Sequence, residues 1–232
     1  ENMQGLYGKY LKQKDKKEAY EYWKKVGMPE ERIIKCPRED NFWGPTAETG
    51  PCGPCTEIFY DTGEGKQYVP GGEFDTQKRY IEIWNAGVFM QLNKNADGSF
   101  SKLSFTSIDT GAGLERLSMV INGCSTVYDT DLLNPIKKMI ESKIPETANI
   151  SPRDILIMTD HLRTASLILS EKVSPSNEGR GYIPRKLIRR CMMITAQNGI
   201  GDFDFSEIIE FIIDNYSNIF SKFEANKEYI IK

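Results

Sequence analysis

The 232-residue sequence predicts an α+β protein, an antiparallel sheet followed by an all-helical domain. Two observations predict it. Residues 80–92 are rich in Ile, Trp, Val and Phe, and an Asn95-Ala96-Asp97-Gly98 turn returns the chain through 103–108, which is the signature of a hairpin. From Asp129 onward the apolar spacing becomes helical nearly to the end of the chain. The expected division is therefore 1–135 and 136–232.

The elements follow in order. Residues 8–26 read as a helix with a lysine-rich outer face and an inner row of Tyr10, Ala19, Tyr22, Trp23 and Val26. Gly27 stops it, and Pro29 opens a short turn, since proline suits a first helical position. Residues 41–72 hold seven Gly and four Pro, so they read as a loop-rich segment. Strands are expected at Thr56–Tyr60, Tyr80–Leu92 and Leu103–Ile108. Asp109-Thr110-Gly111-Ala112-Gly113 ends the last strand, and a helix runs on to about Ile121, before Gly123. Further helices are expected at 129–142, 152–171, 184–197 and 205–223.

Composition narrows the function classes. With 39% apolar and 27% charged residues the chain matches ordinary globular proteins. No run of 18 apolar residues occurs, so no membrane-spanning helix is expected. Nor does the sequence show a basic-then-apolar leader. Five cysteines without a scaffold spacing fit a reducing, cytoplasmic setting. The chain opens on Glu1 within a helical-looking stretch, which suggests a piece of something longer. Charge is unevenly spread. Residues 41–135 carry −6 and residues 151–200 carry +4, with five bases and no acid between 179 and 190. A concentrated basic stripe can bind an anionic polymer even on a mildly acidic protein, because the local field sets the contact.

Three motifs could carry chemistry. Cys52-Gly53-Pro54-Cys55 has metal-ligand spacing, but zinc needs about four ligands. Cys36, Cys124 and Cys191 stand alone, and His161 is the only histidine. A tight Gly/Pro turn carrying two small buried thiols is the simpler reading. In Asp109-Thr110-Gly111-Ala112-Gly113-Leu114-Glu115-Arg116, two glycines let backbone approach a ligand closely. Arg116 follows near the start of a helix, where dipole and guanidinium together favour anions. The same residues could equally be a strand-to-helix joint capped by Asp109 or Thr110. In the helix from Pro184, Leu187, Ile188, Cys191, Ile194 and Thr195 share one face, and Arg185, Lys186, Arg189 and Arg190 the other. That basic face is either solvated or a nucleic-acid surface. The preceding loop, Pro175 to Tyr182, brings amide, guanidinium and aromatic groups suited to phosphates, sugars and base edges.

Taken together, these residues resemble the alanyl-tRNA synthetase family, within the class II aminoacyl-tRNA synthetases. The matching stretches are Asp40 to Trp43, Thr49 to Ile58, Ile81 to Asn85, Val88 to Gln91, Ile108 to Leu117, Asp160 to Arg163 and Ser176 to Arg190, in the family's order. The resemblance implies the back part of a class II catalytic domain over 1–135 and a helical tRNA-recognition domain over 136–232. It implies an enzyme, an alanine-specific aminoacyl-tRNA ligase, with ATP and Mg2+ entering as substrate and no zinc in this stretch. The cysteine pair would belong to the active-site frame. Gly111, Gly113 and Arg116 would form the ATP site, Arg116 being the catalytic arginine on the phosphates. Asp109 would pair with alanine's ammonium group, with Asn85, Trp43 and Val88 around the small side-chain pocket. Asn177, Arg180, Arg185, Arg189 and Arg190 would lie on the tRNA acceptor stem, which the family reads at its guanine–uracil pair.

The family's motifs 1 and 2 would precede Glu1, and motif 2 supplies the arginine for the α-phosphate. These residues by themselves are therefore expected not to activate alanine. Trp84 to Val88 carries one residue more than the family's usual spacing, and Trp43 to Glu48 is also longer by about one. The alternative is a non-catalytic RNA-binding paralogue of the synthetase.

Overall fold

Long strands build the first of two units, Glu1–Gly123, in the computed structural model, which describes residues 6–11, 18–45, 47–70 and 72–232. The strands are β1 (Leu6–Leu11), β2 (Ile33–Cys36), β3 (Phe42–Trp43), β4 (Gly50–Asp61), β5 (Tyr80–Lys94) and β6 (Phe100–Ala112). Their order across the sheet is β2-β1-β4-β5-β6, and β3 pairs with β4. β1 and β2 run parallel, and every other pairing is antiparallel.

The start of the chain departs from the expected helix. Residues 6–11 form a strand, and the helix, α1, covers only Glu18–Lys25. Gly8 explains part of this: a Cβ there would come within 2.9 Å of the Trp23 ring, so the strand can lie flat beneath that indole. The Trp23 indole N–H in turn donates to the Thr56 hydroxyl on β4 at 2.8 Å. Ala19 and Trp23 face the protein as expected, but Tyr22 and Val26 are exposed. The Tyr10 side chain and residues 12–17 lie outside the described residues.

Within the loop-rich segment 41–72 the strand expected from Thr56 starts earlier. β4 begins at Gly50, and its prolines sit at Pro51 and Pro54. The ladder to β5 shifts register between Cys52 and Cys55, and a bulge is where a strand tolerates proline. The connection from β4 to β5 is tied down by Arg79. Its guanidinium bonds the Asp61 carboxylate (Nε to Oδ1, 2.7 Å) and donates to the Gly65 carbonyl at 3.0 Å.

A short helix, α2 (Leu114–Ile121), follows β6 and ends the sheet unit. The second unit, Cys124–Lys232, contains α3 (Asn134–Lys143), α4 (Pro152–Ser170), α5 (Tyr182–Gln197), α6 (Ser206–Tyr216), α7 (Ser221–Ala225) and α8 (Lys227–Ile231). The boundary thus falls at 123/124 rather than 135/136. Residues 124–135 pack with the helices, since the Tyr216 hydroxyl donates to the Leu132 carbonyl at 2.7 Å and Leu133 is buried. α3 starts later than expected, with Pro135 in its first turn. Ser151 caps α4, its hydroxyl accepting from the Asp154 amide at 3.1 Å.

The core of this unit is Ile140, Met158, Ile208, Ile212, Ile213 and Phe223, all at 0% exposure. Burying each such side chain stabilises by about 1.5–3 kcal/mol. The single helix expected over 205–223 is broken after Tyr216; α7 and α8 follow, and Phe223 is seated fully in the core. No helix among the described residues is long and apolar enough to cross a membrane.

Candidate functional site

Six residues from three strands line a cavity of about 200 Å3 in the sheet unit: Trp43, Asn85, Val88, Asp109, Thr110 and Gly111. Drug-sized ligands occupy pockets of about 300–1,000 Å3, so this one suits a molecule of a few heavy atoms. Larger hollows open elsewhere, including an apolar one of about 740 Å3 among α4, α5, α6 and α8. The small one is where five of the residues singled out from the sequence converge: Trp43, Asn85, Val88, Asp109 and Gly111.

Strand register creates that convergence. Asn85 pairs with Gly111 and Val88 with Asp109. Three residues apart, Asn85 and Val88 would point to opposite sides of a regular strand. Between them β5 carries one residue more than β6, a bulge at Ala86-Gly87 facing Thr110, and this returns both side chains to the Asp109–Gly111 face. Thr110 pins the bulge: its hydroxyl accepts from the Trp84 indole N–H at 2.8 Å and donates to the Asn85 carbonyl at 2.9 Å. Hence neither Asp109 nor Thr110 is a helix cap. The residue before α2 is Gly113, which has no side-chain cap bond.

Trp43 reaches the cavity through β4. It pairs with Gly53, and Phe42 pairs with Pro54. A Cβ on Gly53 would sit 1.8 Å from the Phe89 carbonyl oxygen, so only glycine lets β4 press this closely on β5. Cys52 and Cys55 are buried and form no disulfide, and the Cys55 thiol donates to the Glu57 carboxylate at 3.5 Å. Burial pushes the Cys52 thiol up, which opposes a reactive thiolate. Among the described residues no group of three or more His, Cys, Asp or Glu could hold a metal ion.

The chemical character of the cavity is mixed. Val88 is 4% exposed and gives an apolar wall, whereas Asp109 is exposed and brings a carboxylate. The Asn85 side-chain oxygen is buried with no hydrogen-bond partner among the described residues. Leaving such an acceptor unmet costs about 1–3 kcal/mol, and functional sites are where that cost recurs. A Cβ on Gly111 would meet nothing within 4 Å, so the protein's own packing does not demand glycine there. Gly113 and Arg116 do not line the cavity. Arg116 is exposed in the first turn of α2 and donates to the Glu82 carbonyl at 2.6 Å, a bond that uses one of its five N–H groups.

In the helical unit, Cys191, Ile194 and Thr195 of α5 are buried, and Lys186, Arg189 and Arg190 are exposed. The face is less purely basic than its sequence suggests, because Tyr182, Ile183, Met192 and Met193 are exposed beside the bases. Asn177 and Arg185 are joined, the guanidinium Nε donating to the amide oxygen at 3.0 Å. Arg180 lies in the tight turn Gly179–Gly181 just before α5. That turn closes on the Ser174 carbonyl, 2.2 Å from where a Cβ of Gly181 would stand.

The sequence model of the tRNA synthetases class II (A) matches residues 2–232. The chain belongs to that family. Among curated relatives of this class II synthetase chain, the alanine–tRNA ligase of Francisella philomiragia is 39% identical over 217 residues, covering 93% of the chain and 25% of the relative. That of Alkaliphilus oremlandii is 39% identical over 228 residues, with the same two shares. That of a Ruegeria species is 47% identical over 196 residues, covering 80% of the chain and 21% of the relative. The chain thus spans about a quarter of the length of the curated relatives it matches.

Two features of this synthetase chain escaped the reading of its sequence. Thr110 holds the Trp84 indole and the Asn85 carbonyl rather than capping a helix, a cross-strand role that its local sequence does not signal. His161, within the Asp160 to Arg163 stretch that carries the resemblance, has its ring between Asp160 and Arg190, a contact between two helices that no local pattern signals.

Proposed function

We propose that this chain carries the amino-acid pocket of an alanine–tRNA ligase together with part of its tRNA-binding surface. One observation supports this above the rest: Trp43, Asn85, Val88 and Asp109, the residues that the family resemblance assigns to alanine, line a single cavity of about 200 Å3 although the strand between two of them holds an extra residue. In this reading the Asp109 carboxylate accepts charge-assisted hydrogen bonds from alanine's ammonium group, while Val88 and Trp43 enclose its methyl. The unmet Asn85 oxygen is a further acceptor for that ammonium.

The reaction then proceeds in two steps. Alanine's carboxylate oxygen attacks the α-phosphorus of Mg2+-bound ATP, forming the acyl–phosphate bond as the bond to pyrophosphate breaks. The 3′-terminal hydroxyl of tRNA next attacks the acyl carbon, AMP departs and the hydroxyl proton is released. Both steps depend on alignment and on stabilising charge spread over phosphate oxygens, and Arg116 serves the second need. A methyl offers a pocket only about 1–3 kcal/mol of discrimination, so selectivity against small rivals is modest. The arginine that the family places on the α-phosphate belongs to motif 2, outside these 232 residues. Pyrophosphate exchange into ATP is therefore expected from the whole ligase and not from these residues alone. Asn177, Arg180, Arg185, Arg189 and Arg190 contact the acceptor stem.

The deciding experiment is Asp109→Ala in the whole ligase, followed by alanine-dependent pyrophosphate exchange. The KM for alanine should rise at least tenfold while the KM for ATP changes less than threefold, because a lost charge-assisted bond weakens only its own ligand. Equal changes in both would leave Asp109 a structural residue and sink the assignment.

A further inference from the structure

His161, the chain's single histidine, lies in α4 with its side chain 13% exposed, against 53% for the neighbouring Asp160. Its Nδ1 is 3.0 Å from Asp160 Oδ2, and its Nε2 is 3.4 Å from Arg190 Nη1 on α5. The chemistry of the two partners fixes the ring between them. A guanidinium only donates, so Nε2 must offer a lone pair; a carboxylate only accepts, so Nδ1 must carry the proton. The result is a directed chain from Arg190 N–H to imidazole to Asp160. The surroundings register the same charges. The Tyr128 hydroxyl is pushed up by burial first and by the Asp160 charge second, and Cys191 responds to both Arg190 and Asp160.

We infer that His161 is a positioning residue for Arg190, holding one N–H of its guanidinium so that the remaining donors face an RNA phosphate or base edge. This rests on reading the basic face of α5 as an RNA surface. An unanchored exposed arginine must be ordered when it binds, and that ordering weakens affinity by the cost of one rotamer-rich side chain. Anchoring at His161 places that cost in folding instead. Asp160 sets the tautomer, just as a carboxylate orients a histidine that serves a metal.

The test uses the 232-residue chain and a labelled RNA hairpin carrying an alanine acceptor stem, with affinity measured across a salt series. Arg190→Ala should weaken binding and flatten the logarithmic salt slope by about one, the mark of a lost phosphate contact. His161→Leu should weaken binding about three- to tenfold with the slope unchanged, since the contact survives and only its ordering is lost. His161→Gln, whose amide oxygen can still accept from Arg190, should restore most of the affinity. In an Arg190→Ala background His161→Leu should have no further effect. An equal loss in that background means general damage and overturns the proposal, as does His161→Leu binding like the unaltered chain. If Arg190→Ala and Arg189→Ala both bind normally, the RNA reading of α5 falls and takes the proposal with it. If they weaken binding while His161→Leu does not, only the positioning role falls. A readout free of RNA is the nitrogen NMR spectrum of His161: protonated Nδ1 and bare Nε2 are expected, and the opposite tautomer would overturn the inference.

Discussion

The two units assemble their candidate residues in different ways. In the sheet unit, Trp43, Asn85, Val88 and Asp109 come from three strands and meet only because the ladders hold a particular register. In the helical unit, the residues from Asn177 to Arg190 are consecutive, and the turn of one helix with its leading loop distributes them. A site made by register is sensitive to backbone spacing. A site made by helical phase is sensitive to the side chains themselves.

The sharpest way to break that contrast is at Gly53. Gly53→Ala places a methyl against the Phe89 backbone carbonyl, which cannot rotate away, and is expected to destabilise the sheet unit by about 3 kcal/mol or more. Urea unfolding followed through tryptophan fluorescence should show the loss, because all three tryptophans lie in this unit. Gly111→Ala, with open space around it, should shift stability by less than about 0.5 kcal/mol. Similar losses from both would mean that spacing between β4 and β5 is not critical.

The helical unit should respond to alkali instead. Burial, partly offset by Arg190, pushes the Cys191 thiol up from 9.0 to about 12. The unfolded chain therefore releases this proton before the folded one does. Stability contributed by the neutral thiol is complete below pH 9 and is lost as pH rises towards 12, with a slope of at most about 1.4 kcal/mol per pH unit. Cys191→Ala should flatten the alkaline fall in stability measured by circular dichroism; an unchanged slope would show that another group governs it.

A smaller loss than that at Gly53 tests the pin on the bulge. Thr110→Val keeps the shape but removes the acceptor of the Trp84 N–H and the donor to the Asn85 carbonyl, at a cost of about 0.5–1.5 kcal/mol since both bonds are exposed. Thr110→Ser should recover most of it in urea unfolding. If serine and valine behave alike, the hydroxyl does not hold the bulge.

How much was legible in the sequence follows the same division. The buried and exposed sides of α5 could be read directly, since helical period is a local property, although Met192 and Met193 beside the bases could not be placed that way. The β5–β6 hairpin was legible from its Asn-Ala-Asp-Gly turn. β4 was not, because Gly50, Pro51, Gly53 and Pro54 carry turn signals that a bulged strand can accept. β1 reads as helix in isolation because its stabilising partners, β2 and β4, are distant in sequence. The break after Tyr216 was hidden because Ile212, Tyr216, Phe220 and Phe223 continue a helical spacing straight through it. As for the cavity, no local pattern brings residue 43 to residues 85 and 109; only family resemblance put them on one list, and only register explains why they meet.

The swollen rung of β5 has an implication for reading relatives. A ladder in which two residues of one strand face one of the other, with the flanking side chains still on one side, has room to vary in length. At such a place the spacing between Asn85 and Val88 can differ by a residue while both side chains stay on the side of their partners. Positions along β5 are therefore best identified by their strand partners, Gly111 and Asp109, rather than by counting along the chain.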